Sequence, residues 1–303
     1  METQMNMNTI RTLASTLVVA GLTVAAEGIH AQTLEKIAAA DKITVGYREA
    51  AVPFSYLLAP NKAVGFSVDL TQAIVDDVRA RLRRPSLQVD SIPVTGANRI
   101  PLLANGTYDL ECGSTTNTSA RGKEVAFSIN FFYAGTRLLT KRDSGIKNYP
   151  DLANKIVAST AGSTNEKVLK KFAVDHNIDV QIISGKDYAD ALKLVETGQA
   201  SALALDDVLL YGLRANSANP GALEVVAQTL QVEPYACMVR KDDRAFKRLV
   251  DATITRLMKS GEFAALYKKW FESPIPPAGA NLDMPMSDAL RANLKKRSDK
   301  PAQ

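Results

Sequence analysis

The feature that most constrains the fold of this chain is a repeated alternation of short β-rich runs with stretches of helical periodicity. "KITVGYRE" at 42–49 predicts a strand, and "SVDLTQAIVDDVRARL" at 67–82 predicts a helix with one apolar face, formed by Leu70, Ile74, Val78 and Leu82. The same alternation returns from "NKIVAST" at 154–160 to "SALALDD" at 201–207. Strands that alternate with helices are typical of α/β layers with mainly parallel sheets. We therefore expect two α/β units.

The C-terminal part of the chain changes character. The segment "FKRLVDATITRLMKSGEFAALYKKWF" at 246–271 keeps apolar residues at helical spacing and predicts one long amphipathic helical region, with Trp270 in the core. The last thirty residues begin with a cluster of prolines at 274, 276 and 277. Proline does not continue a helix, so we expect an irregular tail along the surface.

The N-terminal residues have the layout of a secretory signal peptide. Arg11 precedes an apolar stretch at 13–26, which is followed by a polar break and the small residue Ala31. We expect cleavage after Ala31, so that residues 1–31 are removed. The apolar stretch is shorter than the roughly 20 residues that a transmembrane helix needs. Residues 32–303 are therefore expected to form a soluble, exported protein.

Composition excludes several classes of function. The chain has 303 residues and a net charge of +5, and its densest basic runs, "RARLRR" and "NLKKRSDK", contain no aromatic residues. Solvated faces are expected there, and no nucleic-acid surface. After cleavage His176 is the only histidine, and no Cys/His cluster, P-loop or dinucleotide fingerprint occurs. We therefore expect no metal, no cofactor and no nucleophilic catalysis, with His176 at the exposed end of a helix.

Two cysteines, Cys112 and Cys237, leave two possibilities open. An exported protein meets an oxidising compartment, so a single disulfide can form. Alternatively, both are small apolar side chains in the core. Their spacing alone does not decide between these alternatives.

Polar residues follow four of the predicted strands. Arg48 follows "ITVGY", a run of hydroxyl and amide residues at 114–119 (the hydroxyl row) follows "YDLEC", Ser163 follows "IVASTAG", and Asp206 follows "SALAL". In open parallel sheets, ligands bind beyond the carboxyl ends of the strands. Four such positions predict one shared site, although a polar loop would also account for the hydroxyl row taken alone.

Some of these candidates have a structural alternative to ligand binding. Ser163 and Thr164 open a helix and can bind an anion, or Ser163 can simply cap the helix. Asp206 can accept a hydrogen bond from an ammonium group, but Asp207 is a rival, and one of the two can cap the next helix. Arg121 offers the two-pronged guanidinium that suits a carboxylate.

Arg48 and Arg99, each taken alone, fit a surface ion pair as well as a ligand site. A neutral amino acid needs one arginine and one aspartate as partners. If both of these further arginines lie in the site, they call for a further carboxylate on the ligand, because an unpaired buried guanidinium is costly.

Several motifs together resemble the periplasmic solute-binding proteins of polar amino-acid ABC transporters, and specifically their glutamate/aspartate-binding branch. The resemblance covers essentially all of residues 32–303 and rests on "VGYREAAVPFSY", "VGFSVDLTQAIV", "NRIPLLANGTYDLECGSTTNTSARGKEVAFS", "LALDDVLL", "PYACMVRKDD" and "WFESPIPP". It implies a two-lobed type II periplasmic binding protein, in which each lobe is a mainly parallel sheet flanked by helices. Lobe 1 would comprise 32–137 and 231–303, lobe 2 would comprise 138–230, and two crossing hinge strands would join them.

The resemblance also implies a function. The protein would be a periplasmic monomer that binds L-glutamate or L-aspartate between the lobes and delivers it to the permease subunits of an ABC transporter in the inner membrane. An enzyme on the same fold, such as a periplasmic dehydratase of cyclic acids, is the alternative, because a fold does not fix a function. The resemblance also puts Cys112 and Cys237 on strands near the hinge, so a disulfide between them is expected.

The resemblance assigns a role to each candidate residue. Arg121, Thr116 and Thr164 would bind the α-carboxylate, Ser114 and Asp206 the ammonium group, and Arg48 and Arg99 the ligand side chain. Ser163 stands where a threonine is usual and keeps the hydroxyl. Tyr188 replaces a histidine that touches the side-chain carboxylate in this branch; it keeps one hydrogen-bond donor but adds no positive charge. The acidic ligand class is therefore expected to hold, while the ranking of glutamate and aspartate stays open.

Overall fold

A computed structural model describes residues 33–302. The predicted signal peptide and its cleavage site lie outside these residues. In the described part of the chain, no helix combines the length and the hydrophobicity that crossing a bilayer requires.

Helices and strands alternate over most of the chain. The helices are α1 Thr33–Ala40, α2 Phe66–Leu82, α3 Arg99–Ala104, α4 Thr164–Asp175, α5 Tyr188–Glu196, α6 Asp207–Ala215, α7 Arg244–Ser260, α8 Glu262–Phe271 and α9 Asp288–Lys296. The strands are β1 Lys42–Tyr47, β2 Ala50–Ala51, β3 Ser55–Ala59, β4 Lys62–Val64, β5 Gln88–Pro93, β6 Leu110–Glu111, β7 Val125–Phe127, β8 Phe132–Lys141, β9 Lys155–Thr160, β10 Val180–Gly185, β11 Ala202–Asp206, β12 Leu223–Val226, β13 Val232–Tyr235 and β14 Met238–Arg240.

Two larger sheets organise these elements. The first has the order β5-β1-β6-β14-β7, and the second has the order β10-β9-β11-β8-β12. β1 runs parallel to β5 and β6, and β9 runs parallel to β10 and β11, whereas β14 and β8 are antiparallel to their neighbours. A small antiparallel sheet, β2-β3-β4, follows β1. The expected α/β class with two sheets is confirmed, but both sheets are mixed and not mainly parallel, because β8, β13 and β14 enter them antiparallel to their neighbours.

Two strands connect the sheets. β8 begins shortly after β7 of the first sheet and pairs with β11 in the second, with Thr136 opposite Asp206. β13 pairs antiparallel with the first half of β8, with Glu233 opposite Ala134, and leads the chain back to β14. The two connections therefore lie side by side, as expected for hinge strands.

An aromatic cluster packs beside these connections. The ring of Phe54 lies 4.9 Å from that of Phe132 and 5.3 Å from that of Tyr235, measured between centroids. Phe271 stacks on Phe132 at 5.1 Å. Such pairs add to the stability that burial of the rings provides. Trp270 is buried as expected, and its indole N–H donates to Asp69 at 2.7 Å.

The chain departs from the sequence prediction at two places in its C-terminal part. The long helical region is broken at Gly261, whose φ of 88° ends α7 and separates it from α8. The tail is not irregular throughout, because α9 forms over Asp288–Lys296. Ser287 caps α9 by accepting a hydrogen bond from the N–H of Leu290, and the Leu290 side chain is buried in the main core.

A disulfide joins Cys112 to Cys237. Cys112 directly follows β6, and Cys237 directly precedes β14, so the bond lies at the centre of the first sheet. His176 is exposed at the end of α4, as predicted, and stacks on Phe172.

Candidate ligand-binding site

The predicted polar residues converge where strands of the two sheets end. Arg48 follows β1, the hydroxyl row follows β6, Thr164 opens α4 after β9, and Asp206 is the last residue of β11. Two contacts join residues that are far apart in sequence: Ser114 Oγ lies 3.0 Å from the Tyr188 hydroxyl, and Thr116 Oγ1 lies 3.2 Å from Thr164 Oγ1. The structure therefore brings most of these residues into one site.

Arg121 reaches from the hydroxyl row toward the loop before α4. Its two terminal nitrogens donate to the carbonyl oxygens of Thr116 and Gly162, each at 2.9 Å. Burial, together with the positive charge of Arg99, lowers the pKa of Arg121 to about 10. The group is therefore still cationic at neutral pH, and among residues 33–302 no carboxylate oxygen lies within 4.0 Å of it.

Arg48 is buried, with 2% of its surface exposed. Its Nη1 donates to the Tyr188 hydroxyl at 3.3 Å, and its guanidinium carbon lies 4.6 Å from the centre of the tyrosine ring. Burial acts to lower the pKa of Arg48, but the interactions with Tyr188 and Glu111 raise it above its ordinary value. Burial acts to raise the pKa of Tyr188, but Arg48 and Arg99 lower it below its ordinary value.

Arg99, the first residue of α3, is equally buried. Its Nη1 donates to Thr115 Oγ1 at 2.6 Å, and its Nε has no hydrogen-bond partner in the described part of the chain. Neither Arg99 nor Arg48 has a carboxylate oxygen within 4.0 Å among residues 33–302. The surface ion pair that each sequence position allowed is therefore wrong for both.

Asp206 is held by a tyrosine. The hydroxyl of Tyr235 donates to Asp206 Oδ2 at 2.6 Å, while the buried Oδ1 has no well-aligned hydrogen-bond partner within residues 33–302. The side chain of Asn165 nevertheless lies close enough to act on this carboxyl and favours a lower pKa. Burial raises the pKa of Asp206 to about 7, and the nearby charge of Glu233 acts in the same direction. Asp207, the first residue of α6, accepts hydrogen bonds from the backbone N–H groups of Gly135 and Val208, so of the two aspartates it is the one whose side chain binds the helix start.

Ser163 and Thr164 differ in what their hydroxyls do. Ser163 accepts a hydrogen bond from the N–H of Glu166 at 3.3 Å and lies 3.4 Å from Ser159 Oγ, so the helix-cap alternative describes it. Thr164 contacts Thr116 and donates to the carboxylate of Glu233. Of the nine ligand-contact candidates, Ser163 is the one whose side chain hydrogen-bonds only to residues within four positions along the chain.

Two buried carboxylates in the site escaped the sequence prediction. Glu111 accepts a hydrogen bond from Thr115 at 2.8 Å through Oε2, and its Oε1 has no partner among the described residues. Glu233 accepts from Thr164 and from Gln231. The available signal for Glu111 was a charged residue between the apolar Leu110 and Cys112 in a predicted strand.

These carboxylates change the charge argument. Arg48, Arg99 and Arg121 are matched in number by Asp206, Glu111 and Glu233, so an excess of positive charge does not by itself call for an anionic ligand. The distances between the charged groups are more informative than the number of charges. Arg48 and Arg99 each lack a carboxylate within 4.0 Å in the described part of the chain, and they stay available to one.

Fold and site together define a two-lobed type II periplasmic binding protein. The chain belongs to the family of bacterial extracellular solute-binding proteins, family 3, whose model matches residues 43–273. The fold is also similar to that of the P235GK mutant of ArgBP from T. maritima, with a TM-score of 0.69 and 28% identity over 79% of this chain and 99% of that one.

Curated relatives are more similar in sequence. The glutamate/aspartate import solute-binding protein of Salmonella typhimurium is 46% identical over 93% of this chain and 94% of its own length. The L-glutamate/L-aspartate-binding protein of Pseudomonas aeruginosa is 45% identical over 89% of this chain and 90% of its own length. The close relatives are binding proteins, so the enzyme alternative is not supported.

Proposed function

We propose that this protein captures an acidic L-amino acid, L-glutamate or L-aspartate, and delivers it to the permease subunits of an ABC transporter in the inner membrane. The observation that carries the proposal is the pair of buried guanidinium groups of Arg48 and Arg99. Neither has a carboxylate within 4.0 Å among residues 33–302, and both lie in the same site as the polar groups of Arg121 and Asp206. The functions of the two curated relatives support the same ligand class.

The α-amino and α-carboxylate groups would bind to two different sets of residues. Arg121, with the hydroxyls of Thr116 and Thr164, offers donors to the α-carboxylate. Asp206 Oδ1 and Ser114 Oγ accept from the ammonium group; the lack of a well-aligned partner for Oδ1 within residues 33–302 supports this role. Ser163 acts through its cap on α4, which holds Thr164 in the first turn of the helix.

The ligand side chain would extend toward Arg48 and Arg99. Each arginine supplies charge-assisted hydrogen bonds, worth roughly 1.5–3 kcal/mol apiece. Tyr188 lies against Arg48 and adds one directional hydrogen bond. Because a hydroxyl has no charge, Tyr188 would tune the choice between glutamate and aspartate more than the choice between acids and amides.

The same proposal includes the lobe boundaries, the processing of the chain and its location. Lobe 1 would comprise 32–137 and 231–303, and lobe 2 would comprise 138–230, with β8 and β13 as the hinge. The signal peptide would be cleaved after Ala31, and a monomer would work in the periplasm. Closure of the lobes would exclude water from the site and strengthen its ionic contacts.

Calorimetry with a panel of amino acids tests the ligand class. The protein is first unfolded and refolded, so that any ligand retained during purification is removed. Glutamate and aspartate should bind, and glutamine and asparagine should bind more weakly. Equal affinity for acids and amides would overturn the acidic ligand class and leave the α-amino-acid site in place. No binding of any amino acid would overturn the whole proposal.

A further inference from the structure

The C-terminal residues 282–302, the C-terminal strap, form a distinct addition to the fold. The family match ends at residue 273, before the strap begins. The strap contains α9, which anchors it to the main core through Leu290. From the end of α9 the chain continues to the hydroxyl row, beside the candidate site.

The end of the strap pairs with the backbone of the hydroxyl row. The N–H of Ala302 donates to the carbonyl of Asn117 at 2.8 Å, and the N–H of Ser119 donates to the carbonyl of Ala302 at 3.3 Å. Thr118 lies opposite Ala302 in a parallel bridge. Thr118 Oγ1 in turn accepts a hydrogen bond from the N–H of Arg121 at 3.2 Å. A short chain of contacts therefore leads from the strap to Arg121.

Three buried asparagines join the strap to the hydroxyl row and to the segment just before β8. Asn117 Nδ2 donates to Asn130 Oδ1 at 3.0 Å and to the carbonyl of Asp299 at 2.8 Å. Asn130 Nδ2 donates to the carbonyl of Lys300 at 2.8 Å. Asn293 Nδ2 donates to the carbonyl of Asn130 at 2.7 Å. All three side chains are at least 97% buried, where satisfied polar groups specify one arrangement.

We propose that the C-terminal strap is a positioning element of the ligand site. It fixes the turn at 117–119 and thereby holds Thr116 and Arg121 ready for the α-carboxylate before the ligand arrives. This inference rests on the proposed function. Without the strap, the turn would become ordered only when the ligand binds. The entropic cost of ordering it would then lower the affinity.

The contacts of the strap predict which ligands are affected. Among residues 33–302, no hydrogen bond or ion pair joins the strap to residues 138–230. The strap therefore acts on one side of the site, where every amino acid places the same carboxylate. Its loss should weaken all amino-acid ligands by the same factor and leave the preference between acids and amides unchanged.

Deletion of residues 298–303 is the direct test. It removes Asp299 and Lys300 together, so the formal charge of the side chains does not change, and it leaves α9 in place. We expect the Kd for glutamate and for glutamine to rise by about tenfold each, as measured by calorimetry well below the melting temperature. Lys300→Ala is the matched control, because only the backbone of Lys300 makes the contacts described.

Two further variants cover the case in which the deletion does not fold. Ala302→Pro removes the N–H that donates to Asn117 and should raise both dissociation constants by about twofold to threefold. Asn117→Ala removes the amide that donates to Asn130 and to the carbonyl of Asp299, and it should raise both dissociation constants in the full chain. If the deletion variant folds, the same substitution should have a smaller effect there, because both changes break one network. Hydrogen exchange at the amides of 117–121 should be faster in the ligand-free variants, a change that a purely global loss of stability would not confine to this turn.

The outcomes separate the two proposals. If the wild-type protein binds no acidic amino acid, the proposed function fails, and the variants are then tested with whichever amino acid does bind. If the wild-type protein binds but the folded deletion variant has the same Kd, only the strap inference fails. A loss confined to glutamate would also overturn it, because that result would assign the strap to the side-chain pocket.

Discussion

Arg121 donates to two carbonyl oxygens on opposite sides of the site, and this geometry gives the first prediction. Arg121→Ala should weaken every amino-acid ligand alike, by about 2–5 kcal/mol, as expected when one partner of a buried charged pair is removed. Arg121→Lys should also lose affinity, because a single ammonium group cannot replace the planar fork. Titration calorimetry measures both. An unchanged Kd for glutamate in the alanine variant would remove Arg121 from the site.

Arg48 and Arg99 give the second prediction. Replacing either by methionine should cost glutamate and aspartate more than glutamine and asparagine, so the preference for acids should shrink by roughly 1.5–3 kcal/mol per arginine. Tyr188→Phe is the matched comparison, since it removes the hydroxyl that contacts Arg48 and Ser114 but no charge. It should change the ratio of glutamate to aspartate affinity and preserve the acid preference. A uniform loss for acids and amides in the methionine variants would contradict the assignment.

The raised pKa of Asp206 predicts how binding depends on pH. The pKa is about 7 without ligand, so Asp206 is largely protonated below pH 7. The ammonium group of a ligand favours the ionised carboxylate, and binding must then release a proton. Affinity should be highest above pH 7 and fall by about tenfold between pH 8 and pH 6. Asp206→Asn should bind weakly with little pH dependence, and equal wild-type affinity at both pH values would refute this role.

The sequence predicted most of the candidate site because its residues follow strands. The rule that ligands bind beyond carboxyl ends points to Arg48, Ser114, Thr164 and Asp206, and the structure brings these together. The same rule also reaches Glu111, which ends β6 as Asp206 ends β11, but it was not applied to that residue. It does not reach Glu233, which lies within β13 and enters the site through Thr164, a partner distant in sequence. Sequence patterns describe neighbours along the chain, and so this contact was missed.

At the scale of elements, periodicity predicted the long amphipathic helices well. The helix expected at 67–82 forms over Phe66–Leu82. The errors came from weaker local signals. Gly261 marked the break between α7 and α8, but the apolar spacing continues across it. The prolines at 274–277 suggested an irregular tail, although α9 begins further along at its own cap, Ser287.

The disulfide gives a prediction about the first sheet. Cys112 and Cys237 are 125 residues apart in sequence and join the end of β6 to the start of β14. A cross-link that closes so long a loop contributes up to about 4 kcal/mol to the free energy of unfolding. Reduction, or replacement of both cysteines by alanine, should lower the melting temperature, while the relative affinities for glutamate and aspartate stay the same. Two thiols alkylated without reductant, detected by intact mass, would refute the bond.

At the scale of the whole molecule, the site depends on the two sheets coming together. Ser114 and Tyr188 are 74 residues apart, and they meet because β8 and β13 connect the sheets side by side. The sequence can indicate two α/β units and the class of fold, but the approach of one unit to the other depends on contacts that no local pattern encodes. A tight backbone contact between the loops before α3 and before α4 is one of them.

Gly96 and Ala161 form that contact and give the last prediction. A Cβ atom added at Gly96 would lie only 2.6 Å from the carbonyl oxygen of Ala161, whereas nothing in the backbone angle of Gly96 itself demands glycine.

If the proposed lobes open about β8 and β13, Gly96→Ala would be tolerated in the open form and would clash in the closed one. Since the apparent Kd rises in proportion as the binding-competent fraction falls, all amino-acid ligands should bind about tenfold more weakly if closure becomes tenfold rarer. Small-angle scattering at a glutamate concentration about tenfold above the wild-type Kd should show a larger radius of gyration than for the wild-type protein, and saturating glutamate should remove the difference. The ligand-free forms should have similar melting temperatures. Gly221→Ala is the control, because a Cβ there would meet its nearest atom at an ordinary 3.6 Å. A Gly96→Ala variant with wild-type affinity would show that binding does not require the two loops to approach as closely as they do here.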